Sequence, residues 1–141
     1  MQYRVVAVGR MKDAALRAAC DDYLDRLRHY AQVEEREAKD DARVLAAVPE
    51  GSRLVALSRT GEQWTSVQLA EWTARWERDA RDVTFAIGGA DTLPEAVLRQ
   101  AERRWSFSDL TFPHELARVM LYEQLYRAYT IRRGEPYHRG R

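Results

Sequence analysis

Cysteine is nearly missing from these 141 residues: Cys20 stands alone, which excludes a disulfide framework and a thiolate metal cluster. Histidine is scarce too. His29, His114 and His138 show no H-x-x-x-H or comparable spacing, so no metal site is expected. No apolar run approaches the roughly 20 residues needed to cross a bilayer. Met1 leads straight into Gln2-Tyr3-Arg4-Val5-Val6-Ala7-Val8, without a charged n-region, an apolar h-region or a small-residue cleavage site. The expected location is therefore the cytosol. An excess of one charge is also lacking: 23 Lys and Arg against 22 Asp and Glu leave +1, unlike a stand-alone nucleic-acid binder. The turn after the first strand, Val8-Gly9-Arg10-Met11-Lys12, holds one glycine where a dinucleotide fold carries three. No phosphate loop, nucleophile elbow or H-E-x-x-H occurs elsewhere.

What is present is a soluble globular composition, 45% hydrophobic and 32% charged, with length for one core and one domain over residues 1–141. Strand and helix patterns alternate, which predicts an α/β domain with a mainly parallel sheet. Tyr3–Val8 reads as the first strand. Leu16, Cys20, Tyr23, Leu27 and Tyr30 follow at helical spacing, and Cys20 on that stripe reads as a buried, inert thiol. Residues 32–39 are polar and at best an edge strand. Asp40 and Asp41 cap a short helix through Val44, Leu45 and Val48. Arg53–Leu57 is a strand ending at Ser58-Arg59-Thr60-Gly61, and Thr65-x-x-Gln68 has the form of a capping box before Leu69, Trp72 and Trp76.

The last third is the most specific part of the chain. Val83–Ile87 reads as a buried strand running into Gly88-Gly89, where the absent Cβ atoms let backbone approach a ligand. Alone, that pair is no more than a strand-end turn. Thr92-x-x-Glu95 has the form of a second capping box, with Pro94 in the first turn, and predicts a helix over 93–103, followed by a short strand over 109–112. The final helix, about 115–129, carries Leu116, Val119, Met120, Leu121, Tyr122, Leu125, Tyr126 and Tyr129 around nearly its whole circumference. Such a helix needs cover on more than one side, and a second subunit is the simplest source, which predicts a homodimer through this helix. Five arginines against one acid lie between residues 127 and 141, a basic arm suited to phosphate.

Read together, the ordered motifs are Val6-Ala7-Val8-Gly9, Tyr23-Leu24-Asp25-Arg26-Leu27, Val55-Ala56-Leu57, Ile87-Gly88-Gly89, Trp105-Ser106-Phe107-Ser108, Leu110-Thr111-Phe112-Pro113-His114, Glu123-Gln124-Leu125-Tyr126-Arg127-Ala128 and Pro136-Tyr137-His138-Arg139. The series closely resembles the RlmH family, the small SPOUT-class methyltransferases that methylate N3 of a pseudouridine in 23S ribosomal RNA. The resemblance spans essentially the whole chain. It implies an α/β domain whose C-terminal segment forms a deep trefoil knot, with S-adenosylmethionine held there. By motif, the cofactor residues are Leu57, Gly89 and the loop Ser108, Asp109, Leu110, Thr111, Phe112 and Pro113. One departure stands out: the family continues its glycine turn as Gly-Gly-Pro-x-Gly, whereas this chain has Gly88-Gly89-Ala90-Asp91-Thr92. The stretch around 40–50 also looks shorter than in many relatives.

The reaction the resemblance implies needs an acceptor nitrogen that has lost its proton, because an imide N3 is a poor nucleophile until then. His138 has chemistry suited to proton work. Arg139 can place a fixed charge against an oxyanion or phosphate, and Tyr137 can stack on a base. The base itself stays open between His138 and solvent. In an arbitrary chain this terminus would be a solvated tail. Arg127 stands four residues after Glu123, either as a simple intrahelical ion pair or facing the cleft, and His114 reads as a local helix-start residue. The ribosome is the expected partner. A related enzyme acting on tRNA, and a non-catalytic ribosome-binding factor, are the competing readings.

Overall fold

Three strands rich in β-branched and aromatic residues form the centre of the computed structural model, which describes residues 1–89 and 93–140. They are β1 (Tyr3–Val8), the first half of β3 (Arg53–Gln63), both mostly buried, and β4 (Val83–Ile87), buried throughout. Near-continuous apolar runs of this kind mark parallel strands covered on both faces. The sheet has five parallel strands in the order β2-β1-β4-β3-β5, with β2 (Val33–Ala38) and β5 (Arg103–Ser106) at its edges. Val5, Val55 and Phe85 face a layer built from α1 (Ala14–Leu27), α3 (Ser66–Asp79) and α5 (His114–Arg132). Val6, Ala56 and Ala86 face the short helices α2 (Val44–Ala47) and α4 (Glu95–Gln100).

Connections that step toward the β2 edge use the first face, and those that step toward the β5 edge use the second. A single crossover hand requires that division. It also leaves crevices at the carboxyl ends of the strands, where successive connections leave for opposite faces.

Helix starts follow local chemistry. Asp13 Oδ1 accepts from the Leu16 N–H at 3.0 Å, and Thr65 and Gln68 exchange the two hydrogen bonds of a capping box. Cys20 is fully buried, and burial pushes its thiol up to about 11. It should therefore resist thiol reagents in the native protein and react only once the chain is unfolded, as mass spectrometry of the labelled protein will record.

Three expectations change. The strand predicted over 109–112 is loop, and the fifth strand lies earlier, at Arg103–Ser106. Two arginines hid it. Arg103 lays its guanidinium over the Trp72 ring at 4.1 Å and pairs with Glu62, while Arg104 Nε donates to the Leu98 carbonyl. Long stems can cover apolar surface while the charge stays wet. Consequently α4 stops at Gln100, with Pro94 at its cap position and not within the first turn; the capping box proposed from Thr92 lies outside the described residues. Second, β3 does not end at Leu57. Leu57 and Glu62 both pair with Trp105, so residues 58–61 bulge between them. Gly61 is needed there, because a Cβ would stand 2.5 Å from the Arg104 carbonyl carbon and oxygen.

Third, the apolar circumference of α5 does not by itself require a second subunit. The sheet lies beneath it, and α1 and α3 pack on its two flanks. Among its half-exposed positions, Leu116, Met120, Glu123, Arg127 and Ile131 run as a ridge along the helix.

The start of α5 is held by buried charge. Arg118 is 1% exposed, and its guanidinium donates to Glu37 Oε2 at 2.7 Å and to the Gly9 carbonyl at 3.1 Å. Glu35 lies alongside, taking Arg17 at 2.8 Å and the Tyr122 hydroxyl at 2.6 Å. Glu115 accepts the backbone N–H groups of Lys12 and Asp13. These contacts tie the turn after β1 to the helix that follows the 107–113 loop.

Candidate active site

A cavity of about 630 Å³ opens at the carboxyl ends of β3, β4 and β5, within the usual range for a small-molecule site. Its floor is apolar, from Leu57, Ile87, Leu93, Leu98, Trp105 and Phe107. Gly88 and Gly89 form one side. Ser108, Leu110, Thr111 and Phe112 form another, and His114 and Ala117 bring in the first turn of α5. Six of the eight residues expected to hold the cofactor thus line one cavity. Asp109 and Pro113 do not. Asp109 Oδ1 instead accepts from Gln63 Nε2 at 3.0 Å, and Pro113 occupies the N-cap position of α5; each shapes the loop from behind.

The loop is braced by its own polar groups. Ser106 Oγ donates to the Ser108 carbonyl, and Ser108 Oγ accepts from the Leu110 N–H. Leu110 is a large apolar side chain left 68% exposed at the mouth. Gly89 also seats the turn against the end of β1: a Cβ there would stand 3.1 Å from Val8 Cγ1, so that Val8 would have to give by a few tenths of an ångström.

Arg59 was not foreseen. It sits in the β3 bulge, donates to Thr111 Oγ1 at 3.0 Å across the mouth, and is the one permanent charge among the described lining residues. A guanidinium there suits an anionic group of a ligand. Its position depends on the bulge, which no spacing in the sequence announced. His114, read as a local helix-start residue, does head α5 and also faces the cavity.

Tyr137 and His138 are half-buried and do not behave as a solvated tail. Gly134, with φ +66°, turns the chain after α5, and the Glu135 N–H reaches back to the Thr130 carbonyl. Tyr137 packs edge-on against Tyr126, with ring centroids 4.7 Å apart, and its hydroxyl donates to Glu123 Oε2 at 2.8 Å. Burial, then Glu123, raises the Tyr137 phenol well above its ordinary value. Arg127 lies over the Tyr137 ring at 4.7 Å, donates twice to Glu123 and presents Nη1 to His138 Nδ1 at 3.1 Å. The ion pair expected between Glu123 and Arg127 is present, and it also organises the tail. Arg139 is exposed beside this cluster.

Within one chain the cavity and the cluster stay apart. The cavity reaches α5 at Ala117, whereas the cluster gathers at Arg127, ten residues or about 15 Å farther along the helix.

Residues 1–138 match the family model described as "Predicted SPOUT methyltransferase". A relative from Sorangium cellulosum, called Ribosomal RNA large subunit methyltransferase H, is 48% identical over 143 residues, covering 97% of this chain and 99% of its own. One of the same name from Polynucleobacter asymbioticus is 40% identical over 146 residues and covers 99% of each chain. Among solved structures, a probable methylase family protein from Haemophilus influenzae superposes with a TM-score of 0.63 at 8% identity, over 98% of this chain and 70% of that one. A putative methyltransferase from Legionella pneumophila, solved with bound SAM, gives a TM-score of 0.51 at 11% identity, over 91% and 66%. The structural likenesses are of fold alone. The family model and the sequence relatives, each spanning nearly the full length, decide membership: this chain belongs to the SPOUT methyltransferase family.

Proposed function

We propose that this chain is a homodimeric, S-adenosylmethionine-dependent methyltransferase acting on N3 of a pseudouridine in 23S ribosomal RNA, on the assembled ribosome and hence in the cytoplasm. The names of the relatives support the RNA class. One structural observation carries the reading: a ligand cavity and a cluster of reactive side chains, each resembling half of an active site, lie apart in a single chain. The half-exposed ridge of α5 offers the remedy. A two-fold axis near its middle sets Arg127 roughly opposite the partner subunit's Met120, about one turn from Ala117, and so brings each cluster toward the other cavity. With this we infer that the segment through β5 is threaded as a deep trefoil knot. β3 bulges around β5 at residues 58–61, and the chain then returns across the sheet to lay α5 between α1 and α3.

The cavity fits the cofactor by size and by its apolar floor, with Leu57, Gly89, Ser108, Leu110, Thr111 and Phe112 as the residues that would hold it. When bound, that group supplies an electrophilic methyl on a sulfonium. The protein must do the rest. It excludes water, aligns the acceptor nitrogen in line and stabilises the charge left when the imide loses its proton. Tyr137 and the basic tail hold the nucleotide, and His138 and Arg139 meet the charge.

The test is transfer of a labelled methyl group to ribosomes that lack the modification. Incorporation at a pseudouridine of the large subunit, with free rRNA and tRNA left unlabelled, is the expected result. Labelling of tRNA alone would change the substrate. Association with ribosomes without cofactor binding or transfer would make the protein a silent binding factor.

A further inference from the structure

One carboxylate oxygen organises the C-terminal cluster. Glu123 Oε2 accepts from Arg127 Nε at 3.1 Å, from Arg127 Nη2 at 2.8 Å and from the Tyr137 hydroxyl at 2.8 Å. Its other oxygen takes Gln124 Nε2 at 2.7 Å, and Gln124 is itself held by Ser66 of α3. Arg127 is thus fixed by a saturated partner, and its remaining Nη1 points at His138 Nδ1, 3.1 Å away. A guanidinium has donors only. Nδ1 must therefore offer its lone pair, which makes the ring neutral and places its proton on Nε2. That Nε2 is buried and has no hydrogen-bond partner among the described residues. A buried donor without an acceptor is costly, and in a native protein it marks a place where an acceptor arrives.

We propose that Glu123 and Arg127 fix His138 as a hydrogen-bond donor to a carbonyl oxygen flanking the methylated nitrogen, and not as the base. The inference rests on the methyltransferase reading above. When the imide N–H bond breaks, its proton passes to water and its electron pair spreads over the nitrogen and the two neighbouring oxygens. The Nε2–H meets the charge on one oxygen. The nitrogen pair then forms the bond to the methyl carbon as the carbon–sulfur bond breaks toward sulfur, and the ring is neutral again. His138 neither gains nor loses a proton. In this arrangement its basic nitrogen is already occupied by Arg127, which is why the base role fails geometrically. Glu123 and Arg127 are positioning residues.

Glutamine separates the two roles. Its side-chain oxygen can take the Arg127 N–H and its amide keeps a donor near the Nε2 position, yet it cannot act as a base. In single-turnover transfer to unmodified ribosomes, with cofactor affinity measured in parallel by calorimetry, His138→Ala is expected to fall about 100-fold and His138→Gln to stay within about tenfold of wild type. A glutamine rate closer to alanine than to wild type overturns the donor role. Glu123→Gln is expected to lower kcat more than it raises KM at unchanged cofactor affinity, and an unaltered kcat removes Glu123 from the relay. Failure of the wild-type protein to methylate any ribosomal substrate would sink the methyltransferase reading itself, a distinct result.

Discussion

Removal of residues 135–141 is expected to reduce methyl transfer at least about 100-fold while the melting temperature and cofactor affinity stay near wild type. The segregation of contacts is the reason. No described residue beyond Ile131 belongs to either buried core, and none of them lines the cavity. What the deletion takes away is Tyr137 over Arg127, the His138 ring and the exposed Arg139. It also frees Tyr30, whose hydroxyl donates to Glu135 Oε2 at 2.6 Å and is pushed up to about 12, chiefly by that bond. Calorimetric titration of the cofactor, thermal melting and a transfer assay on one truncated preparation decide it. Loss of cofactor affinity in step with activity would mean that the tail builds the cavity, contrary to the geometry.

The largest stability effect should come from Arg118→Ala. It leaves the partly exposed Glu37 with the Met11 N–H alone and Glu35 with Arg17 and Tyr122, and it removes a guanidinium that is 1% exposed. Breaking one partner of a buried ion pair costs about 3–5 kcal/mol, which for a domain of this size corresponds to a fall in Tm of roughly 10 °C or more. The pH dependence has a definite sign. Burial pushes the Glu37 carboxyl up, but the Arg118 hydrogen bond and the Met11 N–H outweigh it and hold the group below its ordinary 4.5. A folded-state value below the unfolded one adds stability that is complete above about 4.5 and is lost as pH falls through the lowered value. Arg118→Ala should therefore flatten this part of the acid limb, read from urea midpoints between neutral pH and pH 3. An acid limb identical to wild type would show that Glu37 is not coupled to Arg118.

Much of this could be read from residues whose local chemistry and tertiary role agree. Val83–Ile87, the Thr65 capping box and the Cys20 stripe fell where periodicity placed them, because burial and propensity act together there. Failures came where a long-range partner overrode the local signal. Arg103 and Arg104 form a strand because Trp72, Glu62 and β3 receive them. The sequence 109–112 looked extended but is loop, and its Leu110, Thr111 and Phe112 serve as cavity wall. The ring of apolar positions on α5 correctly required cover on several sides, but pattern alone could not say that α1 and α3 supply it. For the candidate site, motif order singled out Leu57, Gly89 and the 108–112 loop, and all of these but Asp109 line the cavity. Arg59 and the donor character of His138 depend on a bulge and on a hydrogen bond to Arg127, and neither leaves a one-dimensional trace.

The account depends on two chains sharing one reaction, and mixed dimers test that most directly. A chain truncated after Gly134 keeps its cavity, whereas Leu57→Arg blocks the cavity and keeps the tail; each should be inactive alone. Co-expressed with separate tags and purified as the mixture, they should recover about a quarter of wild-type transfer, since half the dimers are mixed and each carries one complete site. A mixture as silent as its components, with mixed dimers demonstrated by the tags, would place cavity and tail of one reaction in the same chain and contradict the account.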